Sequence, residues 1–187
     1  MLEEIKEQIK HYCTIRFKEE ELDYLSKIEW LHEDYIDHLR LWKPRYEDFE
    51  ISSDSPSGLS LEASGTWLNT SMYEIPILAI INEVFFRMTY NYDDLFVQYK
   101  RKLEQKKNWL IDGTYNLGSF SEFGLRRRLS AEAQDLAVKT LCDANGKYKD
   151  SFCVGTSNVF LAKKYNVKPV GTMAHEYIMC VGQGNPM

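Results

Sequence analysis

Phe152-Cys153-Val154-Gly155-Thr156-Ser157-Asn158-Val159-Phe160-Leu161-Ala162-Lys163-Lys164-Tyr165-Asn166-Val167-Lys168-Pro169-Val170-Gly171-Thr172-Met173-Ala174-His175-Glu176 reads as strand, helix, strand. Phe152 to Val154 is a short apolar run that ends at Gly155-Thr156-Ser157-Asn158, small polar residues of the kind that close a strand and cap a helix. Asn158 to Tyr165 reads as the helix, and Val170 to Met173 as a second apolar strand leading into His175. Strands joined through a helix are parallel, because a parallel pair needs a long crossover whereas an antiparallel pair needs only a turn. The same alternation begins upstream, with a strand at Phe120 to Phe123 and a helix at Ser130 to Ala144. The spacing therefore predicts parallel strands with right-handed crossovers from about residue 116 onward, the repeating unit of a barrel or a doubly wound sheet.

Before residue 116 the pattern is different. Leu2, Ile5, Ile9 and Tyr12 recur at helical spacing over 2–17, Leu22, Leu25, Ile28 and Leu31 in a second helix, and Tyr35, Leu39 and Trp42 in a third that Lys43-Pro44 stops. Tyr46 to Ile51 and Leu59 to Ala63 alternate apolar and polar across the turn-forming Ser52 to Gly58, which predicts a hairpin. Trp67 to Tyr90 is the most apolar stretch, interrupted by Pro76 and carrying Glu74, Asn82, Glu83 and Arg87; it predicts a buried helix pair or a helix kinked at Pro76. Asp93 to Leu110 predicts a helix with Leu95, Phe96, Tyr99 and Leu103 inward and lysines on a solvated face. The expected division is 1–115 as an α+β part and 116–187 as the first βαβαβ units.

The chain has 187 residues, 44% of them hydrophobic and 27% charged, enough for a sizeable core. A net charge of -5 and a pI near 5.5 argue against a nucleic-acid binder, which needs a broad surplus of Lys and Arg. No apolar run approaches the ~20 residues of a membrane span, and the first residues lack the basic and apolar regions of a secretory signal, so a cytoplasmic location is expected. Cys13, Cys142, Cys153 and Cys180 form no Cys-x-x-Cys pair and read as reduced thiols. His32 and His38, six apart, do not share a helix face as a metal pair would, and His11 reads as a surface position.

In parallel α/β folds the working residues gather where strands end. Three such ends stand out. Glu122-Phe123-Gly124-Leu125-Arg126-Arg127-Arg128 is the one place with three consecutive guanidinium groups, which suits a polyanionic ligand. It is equally readable as a basic helix entry balanced by Glu132 and Asp135. Gly155-Thr156-Ser157-Asn158 can bring backbone and short polar groups to a phosphate, or simply cap the next helix. His175, followed by Glu176, can be a base, a metal ligand, a nucleophile or a satisfied structural histidine.

Taken in order, Gly65-Thr66-Trp67 with Tyr73-Glu74-Ile75-Pro76-Ile77-Leu78-Ala79-Ile80-Ile81-Asn82-Glu83, then Glu122 to Arg128, then Gly155 to Asn158, then Gly171-Thr172-Met173-Ala174-His175-Glu176, resemble the nicotinate phosphoribosyltransferase family over nearly the whole chain. The resemblance implies an α+β N-terminal part followed by the start of an α/β barrel of phosphoribosyltransferase type, incomplete in this chain. It implies transfer of phosphoribose from phosphoribosyl pyrophosphate to nicotinate in NAD salvage, with ATP as co-substrate and Mg2+ accompanying the pyrophosphate substrate without a recognisable ligating motif. On the family pattern His175 is the phosphorylated histidine, with Glu176 as its orienting carboxylate; Arg126 and Arg127 contact phosphates or the nicotinate carboxylate; and Gly155, Thr156, Ser157 and Asn158 form a substrate-binding loop. Where the family usually has an acidic residue and a threonine around the arginines, this chain has Glu122 and Leu125, at most a mild substitution at the first and a lost hydroxyl at the second. Family members are longer, with an Asp-Tyr-Lys motif ahead and an acidic phosphoribosyl-pyrophosphate loop beyond, so the chain reads as an internal portion with little activity alone, expected to pair with another copy or with the segments it lacks. The alternatives are a non-catalytic, truncated paralogue acting as an assembly module, and a relative that uses nicotinamide or quinolinate.

Overall fold

Leu2–Tyr12 forms α1, with Ile5, Ile9 and Tyr12 buried and Glu3 and Glu4 in the first turn, where they complement the helix dipole. The chain is described by a computed structural model at residues 1–55, 58–115, 118–143 and 152–172, and at Met179. Both α1 and the next helix are shorter than their apolar spacing suggests. α2 spans Glu19–Leu25, and Ile28 and Leu31 lie in the bends that follow it. α3 (Glu33–Leu41) starts at His32, whose Nδ1 accepts the Asp34 amide at 3.3 Å, so this histidine caps a helix.

The predicted hairpin is present. β1 (Phe49–Ser55) and β2 (Gly58–Ala63) are antiparallel, with Phe49 opposite Ala63 and Ile51 opposite Leu61. Residues 46–48, expected at the strand's start, instead make a 3-10 turn. The apolar stretch is a pair of helices, the short α4 (Trp67–Thr70) and α5 (Glu74–Thr89). Pro76 causes no kink because it lies in the first turn of α5, where its missing N–H has no intrahelical partner to lose. The expected burial holds on one face only: Ile77, Ala79 and Val84 are buried, whereas Ile75, Leu78, Phe85 and Met88 are exposed.

Contacts divide the chain into two compact units, Met1–Gln105 with Gly124–Ala137, and Lys106–Phe123 with Val138–Met187. The core of the first is built from Ile5, Ile9 and Tyr12 of α1, Trp42, Phe49 of β1, and Tyr73, Ile77 and Val84 around α5. Its centre is aromatic. The Trp42 ring lies 6.2 Å from Tyr12 and 6.1 Å from Tyr73, and Phe49 lies 4.7 Å from Tyr73 in tilted geometry. The buried Tyr73 hydroxyl donates to Asp48 Oδ2 at 2.8 Å, which resolves the polar end of an otherwise apolar side chain. α6 (Tyr92–Ile111) keeps Phe96 and Leu103 buried and its run Lys100-Arg101-Lys102 exposed, as the spacing predicts.

The second unit contains the parallel sheet, in the order β3-β4-β5: β3 is Ser119–Glu122, β4 Phe152–Thr156 and β5 Lys168–Pro169. In chain order α7 (Ala131–Asp143) comes between β3 and β4, and α8 (Val159–Tyr165) between β4 and β5. The last of the described strands pairs earlier than expected, through Lys168 and Pro169 with Val170 adding one bond to Thr156; Gly171 and Thr172 lie beyond it, and Met173 is outside the described residues. Apolar content misplaced it, since pairing is decided by where the backbone emerges from α8. That helix is ended by Asn166 in the left-handed conformation, φ 52°, a geometry asparagine tolerates well.

Candidate functional site

Parallel strands put their C-terminal ends on one edge, and at this edge Glu122, Thr156 and Pro169 are the last residues of their strands. Thr156 is fully buried. Its hydroxyl donates to Glu122 Oε2 at 2.6 Å and accepts the Asn158 amide at 3.1 Å, while the Ser157 amide donates to the Glu122 carbonyl at 2.9 Å. The Thr156 carbonyl in turn accepts the Val170 amide at 3.0 Å. Gly155 is required by a close approach: a Cβ there would stand 1.9 Å from the Lys168 carbonyl oxygen. Asn158 Oδ1 accepts the Leu161 amide at 3.2 Å and caps α8. Of the four loop residues predicted to bind substrate, Gly155 and Thr156 are sealed, Asn158 caps a helix, and Ser157 is half-exposed. Cys153, beneath the loop, is buried, and burial pushes its thiol up, so it is a packing residue without thiolate character at neutral pH.

The arginine cluster belongs to the other unit. After Gly124 the chain makes a 3-10 turn, Leu125–Arg127, and α5 holds it from one side. Asn82 Nδ2 donates to the Arg126 carbonyl at 2.7 Å, and the Arg126 guanidinium donates to Glu74 Oε1 at 2.5 Å. Glu83 Oε2 accepts the Ala131 amide at 3.0 Å, and its Oε1 accepts Arg87 Nε and Nη2 at 3.1 and 2.8 Å. Ser130 Oγ accepts the Ala133 amide at 3.0 Å and the Tyr92 hydroxyl at 2.5 Å. The Ala131, Ala133 and Gln134 amides at the start of α7 are thus already engaged.

The three arginines are therefore not equivalent. Arg126 is ion-paired at the surface with Glu74. Arg128 is half-buried; burial pulls its proton affinity down against the opposing attraction of Glu83, and its Nε is buried without a hydrogen-bond partner among the described residues. Arg127 is exposed, and among the described residues its guanidinium has no partner. A 390 Å³ cavity also opens between α1 and α5, walled by Glu4, Gln8, Glu83, Arg87, Met88 and Arg128, with two guanidiniums and two carboxylates in one wall set.

Glu74, Asn82 and Glu83 were given no site role in the sequence, although polar residues set into an apolar run were the available signal: each braces the arginine turn or the start of α7. His175 and Glu176 lie outside the described residues. No group of three or more His, Cys, Asp or Glu side chains converges as a metal cage among the described residues. None of the described helices is long and apolar enough to cross a membrane.

The fold of the chain is shared with solved structures of nicotinate phosphoribosyltransferases. The chain superimposes on the nicotinate phosphoribosyltransferase of Porphyromonas gingivalis with a TM-score of 0.83 at 28% identity, covering 97% of this chain and 45% of that one. The Vibrio cholerae nicotinate phosphoribosyltransferase gives 0.79 at 30% identity, covering 95% and 42%. The Bordetella pertussis enzyme of the same name is 37% identical over 180 residues, 95% of this chain and 43% of that protein. Two family models match: the nicotinate phosphoribosyltransferase N-terminal domain at residues 1–82 and the nicotinate phosphoribosyltransferase family at residues 119–187. The chain belongs to the nicotinate phosphoribosyltransferase family. It spans less than half the length of the curated relatives it matches, 43% of the Bordetella pertussis protein and 45% of that of Ralstonia nicotianae.

Proposed function

We propose that the chain contributes the arginine turn, the Gly155 to Asn158 loop and the histidine segment of a nicotinate phosphoribosyltransferase site. The observation that carries this reading, within an established family, is Arg127: it is exposed and, among the described residues, without a partner, beside two arginines already engaged or half-buried. A guanidinium held by no carboxylate is ready to grip a carboxylate or phosphate in two-point fashion. In the proposed reaction the nicotinate ring nitrogen forms a bond to the anomeric carbon of phosphoribosyl pyrophosphate as the bond to pyrophosphate breaks. Positive charge grows on the ribose and negative charge on the leaving group, so fixed donors for that charge lower the barrier.

His175, as a neutral imidazole, is proposed to accept the γ-phosphoryl group of ATP, with Glu176 orienting the ring. Mg2+ is proposed to arrive with the polyphosphate substrates, and no step assigned to these residues depends on it. The β3-β4-β5 sheet is proposed to be the first part of a phosphoribosyltransferase-type barrel. Closing such a barrel takes more strands, so further strands from a longer polypeptide or a second copy complete the site, and turnover by the 187-residue chain alone is expected to be low.

Calorimetric titration with phosphoribosyl pyrophosphate and nicotinate, beside an assay of nicotinate mononucleotide formation with ATP, tests this. Binding of phosphoribosyl pyrophosphate that Arg127→Ala weakens supports it. Binding unchanged in that variant, or productive turnover with nicotinamide or quinolinate in place of nicotinate, would overturn it. Near-full turnover by the isolated chain would remove the need for further strands.

A further inference from the structure

Glu122 enters the site through backbone and side chain at once. Its carbonyl takes the Ser157 amide at 2.9 Å and its carboxylate takes the Thr156 hydroxyl at 2.6 Å. The second distance is that of a charge-assisted O–H···O bond, and Thr156 is fully buried, so water does not compete for the hydroxyl. The same hydroxyl oxygen receives the Asn158 amide at 3.1 Å. Two successive amides past the end of β4 are therefore fixed, one by Glu122 directly and one through Thr156. On the other side the loop is clamped to β5 by the Val170 bond to Thr156 and by the approach of Gly155 to the Lys168 carbonyl.

We infer that Glu122 is a positioning residue that acts through Thr156, and that Ser157, the half-exposed residue between the two fixed amides, is the loop's side-chain donor to a bound anion. Thr156 does not serve as that donor. Its proton is already given to Glu122 in a part-buried contact, and redirecting it would break that bond and disturb the one that the Asn158 amide makes to the same oxygen. This inference rests on the proposed phosphoribosyl-pyrophosphate site for its ligand, and on hydrogen bonds alone for its geometry.

Its test has two independent arms, both on the 187-residue chain. Amide exchange at Ser157 and Asn158 reads the positioning; calorimetric binding of phosphoribosyl pyrophosphate reads the donor. Glu122→Gln keeps an oxygen that can accept from Thr156, and Thr156→Ser keeps the hydroxyl, so both are expected to leave exchange within about threefold of the parent. Glu122→Ala and Thr156→Val are each expected to accelerate exchange at the Asn158 amide by about tenfold or more, with the double variant no worse than either single because the two side chains act as one unit, while the Ser157 amide, held by the Glu122 main-chain carbonyl, stays near the parent rate. Ser157→Ala is expected to weaken binding by about tenfold while exchange stays near the parent rate.

The inference is overturned if Glu122→Ala leaves the Asn158 amide protected, or if Glu122→Gln loses as much binding as Glu122→Ala with exchange unchanged, which would make the carboxylate a direct ligand contact. Unchanged binding in Ser157→Ala overturns the donor assignment. A parent chain that binds no phosphoribosyl pyrophosphate sinks the proposed site and the donor assignment with it, while the exchange arm still decides the role of Glu122. If Glu122→Ala fails to fold, Thr156→Val against Thr156→Ser carries the same comparison.

Discussion

The Glu83 carboxylate caps α7 from a distance in sequence: Oε2 accepts the Ala131 amide at 3.0 Å while Oε1 holds Arg87 at 2.8 Å. One side chain of α5 thereby satisfies a helix start and a cation that packs 4.1 Å over the Tyr92 ring. Removing it leaves an amide and a partly buried guanidinium unpaired. Glu83→Ala is expected to destabilise the chain by about 1–3 kcal/mol, and Glu83→Gln by less, since the amide oxygen can still accept from Ala131. Urea unfolding of the two variants beside the parent checks the order.

Arg126 and Arg127 should separate cleanly. Arg126 pairs with Glu74 at the surface, both side chains about half exposed, so Arg126→Ala is expected to cost no more than about 1 kcal/mol of stability. Arg127→Ala removes no partner among the described residues and is expected to leave the melting temperature within about 2 °C while weakening phosphoribosyl-pyrophosphate or nicotinate binding about tenfold or more. Scanning calorimetry and titration calorimetry on the same samples read both effects.

The Tyr73 to Asp48 bond makes stability depend on pH at both extremes. The Tyr73 hydroxyl, with help from Arg45, holds Asp48 below the ordinary aspartate value, so its contribution is present above about pH 4 and is lost as pH falls through the lowered folded value. Burial, then Asp48, pushes Tyr73 up to about 12. A raised phenol favours the neutral form in the folded state, so that contribution is full below about pH 10 and is lost as pH rises from about 10 toward 12. Melting temperature against pH is expected to fall at both ends; Asp48→Asn should flatten the acid limb, and Tyr73→Phe should flatten both.

Gly155→Ala is expected to be costly in a way that its exposure-free, loop-edge position would not suggest. The new Cβ would meet the Lys168 carbonyl oxygen at 1.9 Å and its carbon at 2.9 Å, backbone atoms that cannot rotate away. The β4–β5 pair must separate, at a cost of about 1–3 kcal/mol or more. Chemical denaturation monitored by tryptophan fluorescence and by circular dichroism would reveal it, and a loss below about 0.5 kcal/mol would contradict the packing described.

Much of the fold was legible because it rests on periodicity. The spacing of Ile5, Ile9 and Tyr12, the turn-rich link between β1 and β2, and the strand–helix alternation after residue 116 are local signals, and local signals survive into the structure when packing agrees with them. The misreadings arose where a non-local partner decides. Ile75, Leu78, Phe85 and Met88 looked buried because they are apolar, yet α5 has a single core-facing side and cannot bury its whole circumference there. β5 was placed too late because which backbone atoms pair with Thr156 depends on how α8 ends, a matter of one left-handed residue.

By itself the sequence determined the family, through four ordered blocks, and the residue types at each strand end. It could say that three arginines stand in a row and that a threonine follows a glycine. Only the tertiary structure decided which of them has work left to do: Glu74 engages Arg126, burial takes up Arg128, and Glu122 claims the Thr156 hydroxyl, leaving Arg127 exposed and unpaired among the described residues. The physical reason is that a side chain's chemistry is written in its own residue, whereas its availability is set by the carboxylates, carbonyls and amides that the fold brings within about 3 Å of it.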